Sequence, residues 1–323
     1  MFQKGFYILC FVVVGLNFQS CYRDSEIFIP DVVQIDEYID ALRRPSQTFT
    51  INTTVPGTFT TAGRAIFRFP TEGYYFKADG STVSGDIVVY VKEIYRKGDM
   101  IRENAVTVTT DNRLLGSGGM FQLEMQQNGQ QVLLRDDQKI EIDIPSQNTG
   151  YQEPLDGMKV FEGFVSPLVD NTTPGLLSWQ QNNTGDTVVQ NAWYDNVNQL
   201  ETAGYSLNTG AYEWINCDYF DPSTNLVSCS FNLPTNANFQ NTRIYIMYDD
   251  ANAIQSAVYQ WNTAKFLATV AADRAITIVV LHVDNDQQLW YNFQQTTITG
   301  ATAIEVPLEA TTVAQLKDFL DSL

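Results

Sequence analysis

From about Thr48 onward, apolar residues recur at every second position, in short runs set apart by turn residues. A period of two sends side chains to alternate faces of a strand, whereas a helix needs a stripe every three or four residues. In GDIVVYVKEIY, Ile87, Val89 and Val91 share one face, and Val88, Tyr90 and Lys92 share the other. FQLEMQQNGQQVLL reads as a hairpin, because Asn128-Gly129 accepts positive φ at both positions of a type I′ turn. That turn sets Met125 opposite Val132 and Leu123 opposite Leu134. IEIDIP alternates again, with Ile140, Ile142 and Ile144 on one side. Residues 47–147 are therefore expected to form one β-sandwich.

Gly150, Pro154 and Gly157 mark a boundary, after which a second β-rich domain is expected over 155–323. Its strands are YEWINCDYF, NLVSCSFNL, RIYIMYD, AITIVVLHV and QLWYNFQQTTI. The Asn-, Gln- and Thr-rich stretch 170–199 reads as a polar insertion. The chain closes on a helix over 312–323. Thr312 and Gln315 match a capping box there, and Val313, Leu316, Leu320 and Leu323 keep one apolar stripe. The fold class expected is mostly β, with two β-sandwich-like domains and a short C-terminal helix.

The amino terminus reads as an address. One lysine, Lys4, precedes the uncharged run GFYILCFVVVGLNF, which ends in Gln-Ser-Cys. A basic start, a short apolar segment and a small residue before the break form a secretory signal over 1–20. Ser20-Cys21 is the small residue and cysteine of a bacterial lipoprotein cleavage site, so Cys21 is expected to carry lipid. An ordinary secretory signal with a coincidental cysteine is the alternative. Two or more acyl chains hold a protein on a bilayer persistently. Residues 21–46 then read as a tether, with weak helical periodicity in VVQIDEYIDALRRP. Asp24 and Glu26 resemble the acidic export tag of Bacteroidota lipoproteins, although Arg23 interrupts it. The expected location is the outer membrane, on its periplasmic or cell-surface side, with the surface favoured.

A net charge of −18, from 37 acidic and 19 basic residues, repels nucleic acid and anionic head groups. Cys217 and Cys229 are equidistant from Ser223 in the turn-prone segment Asp221-Pro222-Ser223-Thr224. A hairpin symmetric about Ser223 would place the two thiols opposite each other, within reach of a disulfide that an oxidising compartment favours. Two buried free thiols are the alternative.

Catalytic motifs are missing from the sequence. The single histidine, His282, sits inside the apolar run TIVVLHVD and reads as a satisfied strand residue. There is no nucleophile elbow, P-loop or dinucleotide fingerprint, no complete metal-ligand set and no cofactor signature. Gly116-Ser117-Gly118-Gly119 precedes a strand and reads as a tight connection. Trp179, Trp193 and Tyr194 fall in the polar stretch, where no core period explains them. Flat rings beside amides suit a sugar or a peptide, and burial as anchors is the competing reading. Asp186-Thr187-Val188 matches a short O-glycosylation motif, which makes Thr187 its candidate acceptor.

The segments AGRAIFRFPTEG, DGSTVSGDIVVYVKEIY, KGDMI and LLGSGGMFQLEMQQNGQQVLL, followed by DGMKVFEG, WINCDYF, RIYIMYDD and AITIVVL, resemble a group of two-domain β-rich lipoproteins of Bacteroidota. The first domain is also distantly similar to the β-sandwich of netrin receptors and ankyrins. That resemblance implies two β domains and an envelope address, and it brings no activity with it. The self-cleavage of some sandwich relatives at His-Phe-Ser has no counterpart, because His282 is followed by Val283 and Asp284. The expected function is a lipid-anchored, non-enzymatic binding or scaffold protein whose partner is a glycan, a peptide or an envelope protein. A carboxylate-based glycan hydrolase and a structural subunit of a surface assembly are the alternatives.

Overall fold

The computed structural model describes residues 35–151, 153–165, 176–183, 185–195 and 199–323. The expected signal segment, Cys21 and the expected tether as far as residue 34 lie outside the described residues. The described chain enters through helix α1 (Ile35–Leu42) and lays down β1 (Gln47–Asn52), β2 (Gly57–Thr60), β3 (Ile66–Phe69), β4 (Tyr74–Phe76) and β5 (Asp86–Ile94). Helix α2 (Lys97–Arg102) precedes β6 (Ala105–Thr109), β7 (Leu115–Gln127), β8 (Gln130–Leu134) and β9 (Ile140–Pro145). Next come β10 (Lys159–Val165), β11 (Leu177–Gln181), β12 (Thr187–Asp195), β13 (Leu200–Thr209) and β14 (Glu213–Phe220). The run continues with β15 (Leu226–Asn232), β16 (Thr242–Tyr248), β17 (Ala253–Ser256), β18 (Val258–Gln260) and β19 (Lys265–Ala271). It ends with β20 (Ala275–Val283), β21 (Leu289–Thr297), β22 (Thr302–Glu305), β23 (Glu309–Thr311) and helix α3 (Val313–Asp321).

The protein is mostly β, and its sheets stack in two sandwich-like pairs. In the first pair, a sheet ordered β1-β5-β7-β14-β10-β11-β6 faces one ordered β12-β13-β9-β3-β2. Ile87, Val89 and Val91 meet Ile140, Ile142 and Ile144 in the core between them, as their alternation requires. Asn128 and Gly129 turn the β7–β8 hairpin at φ of 52° and 77°, and Met125 pairs with Val132. β8 then leaves β7 for β4, so Leu134 pairs with Tyr74 rather than Leu123.

In the second pair, the sheet β17-β16-β20-β21-β23 faces β18-β19-β15-β22. Ile244, Ile246, Ile278 and Val280 point into the core between these two sheets. Alternate residues Tyr245, Met247, Val279 and Leu281 point the other way, into a core shared with the first sandwich and helices α1 and α3. Burial on both faces is why RIYIMY and AITIVVLHV read as continuous apolar runs. The capping box of Thr312 and Gln315 forms, and Leu316 and Leu320 anchor α3 in the shared core. Among the described residues, no helix is long and apolar enough to cross a membrane.

Several expectations are corrected. The sequence boundary near 150 does not separate the sandwiches, because β14 lies between β7 and β10 in the first sheet. Polar residues 170–199 are not one insertion: among the described residues, β11 joins the larger sheet and β12 edges the smaller one. The change of sandwich falls at 221–225, between β14 and β15, and that segment is a crossing rather than a hairpin turn. Cys217 is consequently in the first core and Cys229 in the second, and both are free, buried thiols with no disulfide.

Nor is all of 21–46 a tether. Ile35, Ile39 and Leu42 of α1 are fully buried in the shared core. Each apolar side chain buried this way contributes about 1.5–3 kcal/mol. The Gly116–Gly119 run lies within β7 itself. A Cβ at Gly116 would collide with the Tyr219 ring, and Gly119 holds φ of +126°. These glycines let strand and ring approach closely at the junction of the sandwiches. There Ser117 N–H donates to Asn252 O at 2.9 Å, and Asn252 Nδ2 donates back to Ser117 O at 3.0 Å.

Candidate functional site

The aromatic residues singled out in the polar stretch do not form one surface. Trp179 is 0% exposed, and its indole N–H donates to Val106 O at 2.5 Å inside the shared core. It is a packing anchor, which corrects its reading as a ligand-facing ring. Trp193 is half-buried and Tyr194 is 56% exposed, and as consecutive strand residues they face opposite sides of β12. Thr187 is exposed at the start of the same strand. The preceding Asp186 is engaged, accepting from Thr209 Oγ1 at 2.5 Å and Gly210 N–H at 3.1 Å and pairing with Lys139 at 3.0 Å.

A different set of rings does come together. β18 is an edge strand, and its Tyr259 pairs with buried Phe266 of β19. Trp261 follows in the turn to β19 and is 47% exposed. Phe239, from the connection between β15 and β16, meets Trp261 with ring centroids 4.4 Å apart at 50°. Tyr259 stands edge-on to Trp261 at 5.8 Å and to Phe266 at 5.2 Å. The rings thus form a ladder from the core at Phe266 to solvent at Trp261.

Local hydrogen bonds fix the backbone under this ladder. Asn241 Oδ1 accepts from Asn238 N–H at 2.9 Å, and Asn238 Oδ1 accepts from Gln240 N–H at 2.8 Å. The buried Arg243 donates to Phe239 O and pairs with Asp36 of α1 at 2.6 Å. Ile35 N–H donates to Gln240 O at 2.8 Å, so the described chain enters beside Phe239. Sequence reasoning missed this cluster because Phe239 is separated from the other rings by β16 and β17. The available signal was Trp261 standing directly before Asn262-Thr263, where a turn rather than a core position is expected.

Such an array offers flat, weakly polar faces for stacking, with the neutral amides of Gln260 and Asn262 adjoining Trp261 in sequence. Ring–ring contacts each contribute about 0.5–1.5 kcal/mol and restrict the rings before any ligand arrives.

A cavity of about 500 Å³ lies where α2, α3 and the segment after α1 meet β5. Its charges are largely spent within its own walls. Arg44 and Arg102 both pair with Asp99 and Asp321, and together they hold the Asp321 carboxyl below its usual range. Lys92 pairs with Glu103 at 2.8 Å. Glu93 accepts from Gln47 Nε2, Thr61 Oγ1, Gly63 N–H and Tyr95 Oη. These pairs tie the segment after α1 to α2 and α3, and Lys92–Glu103 ties β5 to the end of α2.

Titratable groups of catalytic interest are few. His282 is buried, its Nδ1 lies 2.9 Å from Thr242 Oγ1, and burial lowers its pKa, which leaves the ring neutral at neutral pH. Glu162 is half-buried, and burial followed by Asp186 and Glu213 raises its carboxyl above the ordinary value. It pairs with Ile215 across the β10–β14 ladder, so Glu213 is its diagonal neighbour on the same face. Asp218 is fully buried and accepts from Asn216 Nδ2 at 2.5 Å, while its Oδ1 has no hydrogen-bond partner. Burial pushes this carboxyl well above its usual range.

No family model and no curated protein matches the chain. Among solved structures, a gamma-CGTase from an alkalophilic Bacillus clarkii aligns at 10% identity with a TM-score of 0.19. The alignment covers 81% of this chain and 41% of that one, and so slight a likeness carries no argument.

Proposed function

We propose that the protein is a non-enzymatic, lipid-anchored binding protein of the outer membrane, and that the ring ladder ending in Trp261 is its contact surface. The observation that carries this reading is a large indole held half in solvent by ordered aromatic neighbours, on a sheet edge that leaves room for a ligand. Sugar rings suit it best: their axial C–H faces stack on an indole, and an uncharged ligand avoids the repulsion of a −18 protein. Lipid on Cys21 would confine this surface to the membrane. Confinement raises the local concentration of a weak binder, so modest affinity suffices.

Titration with neutral oligosaccharides, followed by tryptophan fluorescence, tests the site. Trp261→Ala should weaken binding about tenfold, the scale of one lost stacking contact. Equal binding by the variant would remove the ladder from consideration. Fractionation of Cys21→Ala cells tests the anchor separately: the variant should leave the membrane pellet.

A second reading, a carboxylate-based glycan hydrolase, rests on Glu162. A half-buried acid with a raised pKa and a second carboxylate, Glu213, as its diagonal neighbour is the kind of paired arrangement that glycan hydrolysis uses. Glu162→Gln would abolish any glycan hydrolysis by the purified protein, whereas Trp261→Ala would leave cleavage at the Glu162 site in place.

A further inference from the structure

The outer edge of β12 departs from how proteins ordinarily protect exposed strands. β12 spans Thr187–Asp195 at the margin of the sheet β12-β13-β9-β3-β2, and among the described residues no strand pairs with its free side. From Thr187 to Tyr194 it carries no charge and no proline, and its ladder with β13 has no bulge. Those are the usual devices against edge pairing. Val189 is 57% exposed and Tyr194 56%.

Backbone geometry sets which residues are open to a newcomer. Ala192 N–H takes the side chain of Asn191 as acceptor at 2.9 Å, so it points away from β13. In an antiparallel ladder the outward positions alternate, which makes them Val188, Gln190, Ala192 and Tyr194. A second β12, running antiparallel and centred on Asn191, matches these four with one another: Val188 with Tyr194, and Gln190 with Ala192. The intervening positions set Val189 against Trp193 in the closer, non-hydrogen-bonded spacing, a β-branched and aromatic pair of the kind that stabilises sheets. Asp195 then faces Thr187 rather than its own copy. Shifting the centre to residue 190 or 192 keeps the hydrogen-bond parity but breaks both apolar pairings.

We propose that β12 is a self-association edge, through which two copies of this chain join antiparallel about Asn191 into one continuous sheet. The partner is a second copy because the strand is complementary to itself. An isologous contact of this kind closes on a two-fold axis and does not propagate into fibres. Since each copy carries a charge of −18, salt should strengthen the association.

Cysteine cross-linking on the full chain in detergent tests both the contact and its register. Asn191→Cys places two thiols across a non-hydrogen-bonded pair, at a spacing a disulfide spans. Mild oxidation should yield a covalent dimer on a non-reducing gel. Val189→Cys, whose partner would be Trp193, should give little. Sedimentation should show the parent protein as a dimer. Ala192→Pro removes an outward N–H together with its bond to the Asn191 side chain, a loss an edge strand tolerates, and should weaken the dimer at least about tenfold. Val189→Lys, at an exposed side chain, provides a second disruption should the proline disturb folding. A parent protein that stays monomeric at high concentration and high salt would overturn the proposal. So would equal cross-linking of both cysteine variants, the mark of random collision.

Discussion

Cys217 and Cys229 lie in separate hydrophobic cores, on strands that share no ladder: β14 pairs with β7 and β10, and β15 with β19 and β22. Burial raises both thiols, Cys229 to about 11 and Cys217 well above its ordinary value, so neither forms thiolate at physiological pH.

Native protein should therefore leave both thiols unlabelled by iodoacetamide at pH 8. Unfolding without reductant should expose both to alkylation, as read by intact mass. Detection of a 217–229 cystine would contradict the strand assignment.

Asp218 gives a pH signature. Folding keeps a proton on this carboxyl that the unfolded chain releases above its ordinary value, so its contribution is full in acid. That contribution drains away as pH climbs from the unfolded toward the folded pKa, at about 1.4 kcal/mol per pH unit. Asp218→Asn should abolish the drain. Urea midpoints compared from pH 4 to 9 should show the variant gaining on the parent as pH rises, and parallel curves would refute a neutral Asp218.

The two tryptophans should separate stability from binding. Trp179→Ala leaves a large void and an orphaned Val106 carbonyl, and should cost about 3–5 kcal/mol. Trp261→Ala should change the unfolding midpoint far less while weakening oligosaccharide binding, because much of the ring already faces solvent. Comparable destabilisation by both would mean that Trp261 is structural.

Helix α1 should behave as core. Ile39→Ala is expected to lower stability by about 2–5 kcal/mol in urea unfolding. A residue in a solvated tether would change it by roughly 0.5 kcal/mol or less.

Local rules were legible where one face meets water. The alternation of Ile87, Val89 and Val91, the positive-φ pair Asn128-Gly129 and the Thr312–Gln315 cap each depend on neighbours in sequence, and each formed. What the sequence hid was pairing over long separations. Nothing local distinguishes a strand that hairpins back, as 213–220 and 226–232 were expected to do, from one that crosses to another sandwich. Weak polarity misled in the same way at β12, where uncharged edge residues resemble a loop. The ring ladder was hidden because Phe239 and Trp261 become neighbours only once β16 and β17 are in place. The location of α1 escaped notice because its apolar face, Ile35, Ile39 and Leu42, is too short to announce burial without α3 beside it.

The insertion of β14 between β7 and β10 has a consequence for assembly in time. A chain emerging from its amino end cannot close the first sheet until Phe220 has arrived, and α1 has no complete berth until Leu316 and Leu320 of α3 join the shared core. Contacts across such long sequence separations are the kind that topology makes slow to form, so the shared core closes late in folding.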